Sequence, residues 1–338
     1  MDSRKRGRQT VALARPPAAA GFASVVGKKE GEGPLAAAFD QIAGDDLFGE
    51  DSWEKAESAM QRTALSAALE KAGQAASSLD CLLAGDLLDQ CIATSFAVRG
   101  LDTPFLGLYG ACSTMAEALG LGAMLLDGGF GRLTAAVTSS HFCGAERQYR
   151  MPLEYGGQRS PTAQWTVTGA GAVVLAAEGD GPKVTHVTIG KIVDKGIKDA
   201  ANMGAAMAPA ARATIEAHLA DTGRKPSYYD LIVTGDLGTL GHEILLDLLR
   251  RDGMDLKNVA DCGRMIYDPE AQDVHCGGSG CGCSAAVLAG PLLRGMAQGK
   301  WKDILFCGTG ALLSPTSTMQ GESIPAICHA VALSTRGA

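Results

Sequence analysis

The sequence predicts an α/β fold built from two similar halves, and three observations support this. Short apolar segments alternate with longer amphipathic ones along most of the 338 residues, which is typical of strands joined by helices and favours mainly parallel pairing. A series of helix and strand signals occurs twice in the same order. Hydrophobic residues make up 46% of the chain and charged residues 20%, a composition that can bury a core and excludes disorder over most of the length.

The first repeated signal is a helix followed by a strand that ends in Gly-Asp-Leu. Residues 53–73 carry alanine, methionine and leucine at helical spacing and end at a glycine suited to a C-cap. The apolar residues 79–87 then predict a strand. In the second half a helix over 208–222 precedes a strand over 229–237, and the two Gly-Asp pairs lie 150 residues apart.

The second repeated signal is a helix that opens with a cysteine and leads into a strand. Cys112 opens a helix that is followed by an apolar strand over 133–138, and Cys283 opens a helix that is followed by a strand over 304–309. The last threonine of each strand lies 26 residues after its cysteine. An ordered series of this kind is better explained by duplication than by chance.

Charge and hydropathy limit the partners and the location. Thirty basic against thirty-seven acidic side chains give a net charge of −7, so the chain lacks the overall positive charge that is typical of nucleic-acid-binding proteins. A short basic cluster at residues 4–8 predicts a solvated tail, with contact to anionic lipid or nucleic acid as the alternative. No run of about 18 apolar residues and no signal peptide is present, so we expect synthesis in the cytoplasm and reduced thiols.

Cys112 is the first candidate functional residue. A helix N-terminus stabilises a thiolate and can lower the pKa of a cysteine below its usual value of about 8.5, and the small residues beside Cys112 would let an acyl group approach. A buried structural thiol explains the same position equally well.

A metal site is the second candidate. His275, Cys276, Cys281 and Cys283 form the pattern His-Cys-x4-Cys-x-Cys. Zinc sites usually repeat a cysteine pair at a distance, and no second such pair occurs in the sequence, so we expect no metal site here.

The duplicated halves together with Gly110-Ala111-Cys112-Ser113-Thr114 resemble the thiolase superfamily, and residues 167–175 resemble that family's glycine-rich turn into the last strand of the first half. The resemblance implies two βαβαβαββ halves, residues 1–180 and 181–338, stacked as a five-layer αβαβα sandwich, with Cys112 at the position of the nucleophile.

The second half departs from the active members of that superfamily. They supply a histidine near the position of residues 235–238 and a histidine or asparagine near residue 282, and this sequence has neither in register. Without a base and an oxyanion donor, acyl transfer loses contributions of about 10²-fold or more each. We therefore expect a degenerate site with no catalytic residues and no cofactor.

A closer resemblance, to the family of stage V sporulation protein AD, covers nearly the whole chain. It is carried by the segments 31–35, 83–88, 110–114, 138–141, 154–158, 207–211, 261–263, 277–281 and 310–316. It implies a protein that binds dipicolinic acid, with or without calcium, for uptake into the developing spore and release at germination. It also implies membrane channel subunits as partners, a peripheral position on the spore inner membrane, and a homodimer.

The expected ligand-binding residues combine a helix start with small hydroxyl donors near strand ends. They are Cys112, Asp86, Ser113, Thr138, Ser140, His141 and Ser314. Asp86 would contact calcium or accept a hydrogen bond, and an Asx turn or helix cap is its equally weighted structural alternative. Three arginines in the loop after His141 could neutralise the ligand or lie at the surface or a dimer interface: Arg147, Arg150 and Arg159.

Two other functions remain open on sequence alone. The first is an acyltransferase or ketoacyl synthase-like enzyme that uses Cys112 on a coenzyme A or carrier-protein thioester. The second is a structural subunit with an empty pocket. The first requires a base within hydrogen-bond reach of the thiol.

Overall fold

A computed structural model describes residues 4–149 and 159–336. Arg150 and the segment 154–158 that supports the family resemblance lie outside the described residues. The strands, in chain order, are β1 (Lys5–Arg6), β2 (Thr10–Ala12), β3 (Ala18–Val26), β4 (Gln41–Ile42), β5 (Cys81–Gly85), β6 (Phe105–Gly107), β7 (Leu133–Ser140), β8 (Trp165–Thr166), β9 (Gly169–Ala176), β10 (Lys183–Thr188), β11 (Leu231–Thr234), β12 (Val259–Asp261), β13 (Gly278–Ser279), β14 (Asp303–Ala311) and β15 (Ala326–Ser334).

The helices alternate with these strands. They are α1 (Lys28–Gly31), α2 (Trp53–Ala72), α3 (Ile92–Val98), α4 (Thr114–Gly128), α5 (Phe142–Tyr149), α6 (Met203–Thr222), α7 (Gly238–Arg251), α8 (Cys262–Met265), α9 (Cys281–Val287), α10 (Leu293–Ala297) and α11 (Pro315–Met319). No helix in the described part of the chain is both long enough and apolar enough to span a membrane.

The two halves have the same strand order. The first half pairs β6-β5-β7-β9-β3 and the second pairs β12-β11-β14-β15-β10. When the five strands of each half are numbered in chain order, both halves therefore have the strand order 3-2-4-5-1. The 180/181 boundary falls between β9 and β10, and the division into two units at that point stays a prediction.

The prediction of mainly parallel pairing is wrong, because half of the strand pairs within each half of the chain are antiparallel. Strand β5 pairs parallel with β6 and β7, whereas β9 pairs antiparallel with both β7 and β3. The second half repeats this arrangement. Strands buried on both faces read as continuous apolar runs in either direction, so the sequence pattern could not separate the two kinds of pairing.

The helices form layers around these strands. Helix α2 packs on β3 and β9 from outside the first half, and α6 packs on β14 and β15 from outside the second. Between the two sets of strands lie α4 and α9. The central layer holds a hydrophobic cluster in which Leu119 of α4 and Leu288, just after α9, are buried with Phe306 of β14.

Helix boundaries follow local capping chemistry. Ser52 accepts a hydrogen bond from the backbone N–H of Lys55 at the start of α2, and Gly73 ends the helix with a φ of +64°, as the sequence predicts. Helix α6 begins five residues before its predicted start, because Asn202 caps it and the helix continues through Pro209. Helix α9 begins at Cys281, two residues before the predicted Cys283, and α4 begins at Thr114, two residues after the predicted Cys112.

Candidate functional site

A pocket opens where the two halves meet, beside the N-terminus of α4. The space in it that is not occupied by protein atoms is about 630 Å³, a volume that includes the open solvent at its mouth. The residues that line it come from both halves and are mostly apolar or aromatic: Leu87, Tyr109, Ala111, Cys112, Ala145, Glu146, Tyr149, Gln164, Thr166, Ala200, Met203, Ser279, Ala311 and Leu313.

A tight turn places Cys112 at this pocket. Ala111 adopts a φ of +50°, which is uncommon for a residue with a side chain. The hydroxyl groups of Ser113 and Thr114 hold the turn, since Ser113 Oγ donates to the Gly110 carbonyl at 2.6 Å and Thr114 Oγ1 accepts from the Gly110 N–H at 3.0 Å. A Cβ atom at Gly310 would lie 2.4 Å from the Gly110 carbonyl oxygen, so the turn requires glycine there.

Asp236 is the charged partner of Cys112. It follows β11 in the second half and is fully buried. Its carboxylate accepts from Ser279 Oγ at 3.0 Å, from the Gly280 N–H at 2.9 Å and from Thr309 Oγ1 at 2.8 Å. The thiol of Cys112 lies beside this carboxylate. Asp236 thus lies in the segment 235–238, where the sequence resemblance led us to look for a histidine.

This environment keeps the thiol protonated. Burial raises the pKa of Cys112 well above its ordinary value, and the negative charge of Asp236 raises it further. Hydrogen bonds from Gly280 and Ser279 act in the opposite direction and are outweighed. The activation expected from the start of helix α4 is therefore absent, and the buried-thiol interpretation fits the geometry.

None of the described histidines lines the pocket, and all of them except His242, whose Nδ1 is buried without a partner, are hydrogen-bonded elsewhere. His141 Nε2 lies 2.7 Å from the Asp46 carbonyl, and His275 Nδ1 lies 2.6 Å from the Ser160 carbonyl. His218 lies between Thr188 and Tyr229. The Gly190 N–H donates to His329 Nδ1. The arrangement therefore supplies no histidine base for Cys112.

Of the predicted ligand-binding residues, Cys112 lines the pocket. Asp86 is buried and accepts from the backbone N–H groups of Leu88 and Thr94 at 2.8 and 2.7 Å. These bonds fit its alternative interpretation as an Asx turn and a cap near the start of α3. His141 is held against Asp46, as described above. Neither side chain belongs to the pocket lining.

The predicted hydroxyl donors have structural partners. Thr138 Oγ1 donates to the Cys281 carbonyl at 3.1 Å, and Ser140 Oγ donates to the Val167 carbonyl at 2.6 Å. Ser113 stabilises the turn before α4. Ser314 is exposed and caps α11 by accepting from the Ser317 N–H. Ligand contact by these residues stays a prediction.

The two described arginines after His141 pair with acids outside the pocket. Arg147 forms an ion pair with Glu54, and Arg159 forms one with Asp273 at 2.9 Å. Neither lines the pocket. Arg150 lies outside the described residues.

The residues of the candidate zinc pattern have separate partners. The thiols of Cys276, Cys281 and Cys283 lie against the carbonyls of Pro161, Ser139 and Gly235, respectively. Within residues 4–149 and 159–336, no three histidine, cysteine, aspartate or glutamate side chains are grouped as metal ligands would be.

Several pocket residues were not predicted from the sequence. Gln164 and Glu146 carry polar groups at the wall, and Tyr109 and Tyr149 contribute aromatic rings whose hydroxyl groups lie 3.1 Å apart. Asp236 is not part of the lining, but the repeat contained a usable signal for it, because it pairs that residue with Asp86. The other four come from segments outside the repeat, so no sequence pattern pointed to them.

Comparisons with known proteins agree with this geometry. A family model described as stage V sporulation protein AD matches residues 7–334. The chain is 43% identical over 332 residues to stage V sporulation protein AD of Bacillus subtilis (strain 168), covering 98% of both proteins.

The fold also matches solved enzyme structures at low identity. The chain is 16% identical to cerulenin-bound OleA of Xanthomonas campestris, with a TM-score of 0.59 and coverage of 95% of this chain and 97% of that one. It is 14% identical to 3-oxoacyl-[acyl-carrier-protein] synthase III from Aquifex aeolicus VF5, with a TM-score of 0.55 and coverage of 94% and 99%. These likenesses confirm the predicted thiolase-like α/β fold.

Proposed function

The chain belongs to the stage V sporulation protein AD family, and from this membership we propose that it binds dipicolinic acid for uptake into the developing spore and release at germination. It is a sporulation protein with a thiolase-like fold. The proposal adds the ligand, a docking interaction with membrane channel subunits of the spore transport complex, and a peripheral position on the inner membrane. The homodimer implied by the resemblance belongs to the same proposal.

The contact between Cys112 and Asp236 carries the proposal that the site binds and does not catalyse. An acyl-transfer site needs a thiolate and a base that accepts its proton. Here a buried carboxylate raises the pKa of the thiol, and no histidine lines the pocket. What the site retains is a shaped cavity at a helix N-terminus.

The pocket suits a planar aromatic ligand. Tyr109 and Tyr149 provide rings for stacking, and Leu87, Ala145 and Leu313 provide apolar walls.

The charge of the lining favours the calcium form of the ligand. Among the residues that the structure describes, the lining contains no lysine or arginine. A bare dianion placed near the buried carboxylate of Asp236 would meet a like charge and lose its hydration. Calcium carried with dipicolinate would neutralise that charge, so we propose the chelate as the bound form.

Calorimetry with a pocket-filling variant tests the proposal. Ala200 is half-buried in the lining, and Ala201 beside it is half-buried outside the lining. We expect calcium dipicolinate to bind the wild type and Ala201→Trp with similar affinity, and Ala200→Trp to weaken binding by at least about tenfold because the indole occupies the cavity. Absence of saturable binding to the wild type, with and without calcium, would exclude the proposed function.

Mass spectrometry distinguishes the enzymatic alternative. We expect no acyl adduct on Cys112 after incubation with acetyl-coenzyme A, because burial and Asp236 keep the thiol protonated and no histidine lines the pocket to accept its proton. Rapid stoichiometric acylation of Cys112 would replace the binding proposal with an acyltransferase function.

A further inference from the structure

The basic cluster at residues 4–8 belongs to a β-hairpin and is not the solvated tail that the sequence predicts. Strand β1 pairs antiparallel with β2, and β2 pairs antiparallel with β10. Around the turn, the backbone N–H groups of Arg8, Gln9 and Thr10 donate to the carboxylate of Asp221 at 3.0, 2.9 and 3.0 Å. The hairpin therefore has a fixed position, and its cationic side chains are presented on a rigid support.

The cations of this hairpin lie exposed at a free edge of the sheet. Among the described strands β1 pairs only with β2, and Arg4, Lys5, Arg6 and Arg8 are all exposed. Arg4 forms an ion pair with Asp127 at 2.7 Å, whereas neither Arg6 nor Arg8 forms one within the part of the chain that the structure describes. A chain with a net charge of −7 thus carries a local cationic edge.

Large apolar side chains are exposed at both ends of the hairpin. At one end the guanidinium group of Arg15 donates to the Asp127 carbonyl at 2.9 Å, and Phe130, three residues further on, is 80% exposed. At the other end Ile189 exchanges two hydrogen bonds of 3.0 Å with the hairpin turn. Ile189 is 47% exposed and Ile192 is 63% exposed.

This combination of cations and apolar side chains matches an anionic lipid surface. Charge on an edge strand alone would only prevent pairing with another chain. Lysine and arginine close to an anionic bilayer are attracted to it, and apolar side chains beside them enter the boundary between headgroups and acyl chains. Contacts to nucleic-acid phosphates would use the cations and give no role to the isoleucines.

We propose that the hairpin face, which comprises residues 4–8 with Phe130, Ile189 and Ile192, docks the protein on an anionic phospholipid bilayer. This inference rests on the peripheral membrane position in the proposed function and names the surface responsible. The two carboxylates in contact with the hairpin, those of Asp127 and Asp221, accept its hydrogen bonds and hold it in place. Four cations against two acids leave the face with an excess of positive charge.

Co-sedimentation of the full chain with vesicles tests the proposal. We expect binding to vesicles of equal parts phosphatidylcholine and phosphatidylglycerol, little binding to phosphatidylcholine alone, and weaker binding as salt screens the charges. Arg6→Glu combined with Arg8→Glu should lower the partition coefficient at least about tenfold, because two attractive charges become repulsive. Phe130→Ser combined with Ile192→Ser should lower it severalfold through the lost apolar contacts.

Two control variants make the same chemical changes elsewhere on the surface. Arg99 and Lys257 are exposed in the segments before β6 and β12, the outermost strands of the sheet, whereas the hairpin pairs with β10 in the middle of the strand order. Phe96 and Ile92 are exposed on α3. Arg99→Glu combined with Lys257→Glu, and Phe96→Ser combined with Ile92→Ser, should bind vesicles as the wild type does. Thermal melting verifies that all four variants are folded.

The outcomes distinguish this surface from other partners. Unchanged vesicle binding in either hairpin-face variant, or equal loss in its control, would overturn the proposal. Binding only when the vesicles contain membrane subunits of the transport complex would replace lipid by protein as the partner, and preference for a DNA duplex over anionic vesicles would replace it by nucleic acid.

Calorimetry with dipicolinate, with and without calcium, separates this inference from the proposed ligand. A wild type that binds anionic vesicles through the hairpin face but does not bind dipicolinate would support the inference and exclude the ligand. A wild type that binds dipicolinate but does not bind anionic vesicles would overturn the inference and leave the ligand in place.

Discussion

The chemistry of the pocket depends on a single contact between a thiol and a carboxylate. Cys112 lies two residues before α4, near the helix end whose dipole favours a thiolate, yet burial and Asp236 favour the protonated form. Asp236 is in turn held by donors from Ser279, Gly280 and Thr309. The carboxylate is therefore rigidly placed, and its charge adds to the effect of burial in keeping the thiol protonated.

Replacing Asp236 by asparagine should make Cys112 more reactive. Removal of the negative charge lowers the pKa of the thiol, so the thiolate fraction and the rate of alkylation by iodoacetamide should rise at neutral and mildly alkaline pH. Peptide mapping by mass spectrometry at several pH values measures the rate at Cys112.

Cys143 provides the internal control for that measurement. It is half-buried, burial raises its pKa to about 11, and Asp236 is not among the groups that shift it. Its alkylation rate should be the same in the wild type and in Asp236→Asn. Fast alkylation of Cys112 in the wild type at neutral pH, or no increase in the variant, would contradict the role assigned to Asp236.

The helices and strands could be predicted where local signals determine them. Helix α2 lies where its spacing and Gly73 place it, because capping and periodicity act within one segment. Strand direction and the start of α9 could not be predicted, because they depend on pairing across the chain. The same limit applies to the pocket. Cys112 was identified from the local pattern that leads into α4. Gln164 is instead held at the cavity by hydrogen bonds to the carbonyls of Asp236 and Gly278, which are distant in sequence.

Asp86 should act as a structural cap of the segment that leads into α3. Its carboxylate is buried and accepts two backbone hydrogen bonds. Asp86→Ala should lower the free energy of unfolding in urea by about 2–3 kcal/mol, because those donors lose their partner inside the protein.

Asp80→Ala is the matched control for this cap. Asp80 also accepts two backbone hydrogen bonds, from Arg132 and Leu133, but it is exposed, so water replaces the lost acceptor and the effect should be smaller. If Asp86→Ala is as stable as Asp80→Ala but loses affinity for dipicolinate, Asp86 contacts the ligand and the structural assignment is wrong.

The two halves share one core because each central helix packs on strands of the other half. A Cβ atom at Gly308 of β14 would lie 2.6 Å from the Cβ of Ala116 in α4, and one at Gly171 of β9 would lie 2.2 Å from the backbone oxygen of Ala285 in α9. These glycines permit the close approach. We therefore expect the halves to unfold together, so that a buried ionisable group at their junction affects the stability of the whole protein.

Glu30 is such a group. Its carboxyl accepts from the Thr168 N–H at 3.0 Å and from the hydroxyl of Tyr267 in the second half, while its second oxygen is buried without a partner. Burial raises its pKa from 4.5 to about 7, and burial raises the pKa of Asp261 to about 7 as well. The protonated forms are thus favoured in the folded protein.

The resulting pH dependence can be isolated with Glu30→Gln, which mimics the protonated carboxyl. Protonated Glu30 contributes fully to the free energy of unfolding below about pH 4.5, where the carboxyl is also protonated in the unfolded chain. This contribution is lost as the pH rises to about 7. In urea denaturation, Glu30→Gln should match the wild type at the acidic end and exceed its stability by up to ~3 kcal/mol above neutrality. Glu32→Gln, at an exposed neighbour, should follow the wild type throughout. A constant difference between Glu30→Gln and wild type at every pH would show that Glu30 is ionised in the folded protein and that its bond to Tyr267 outweighs its burial.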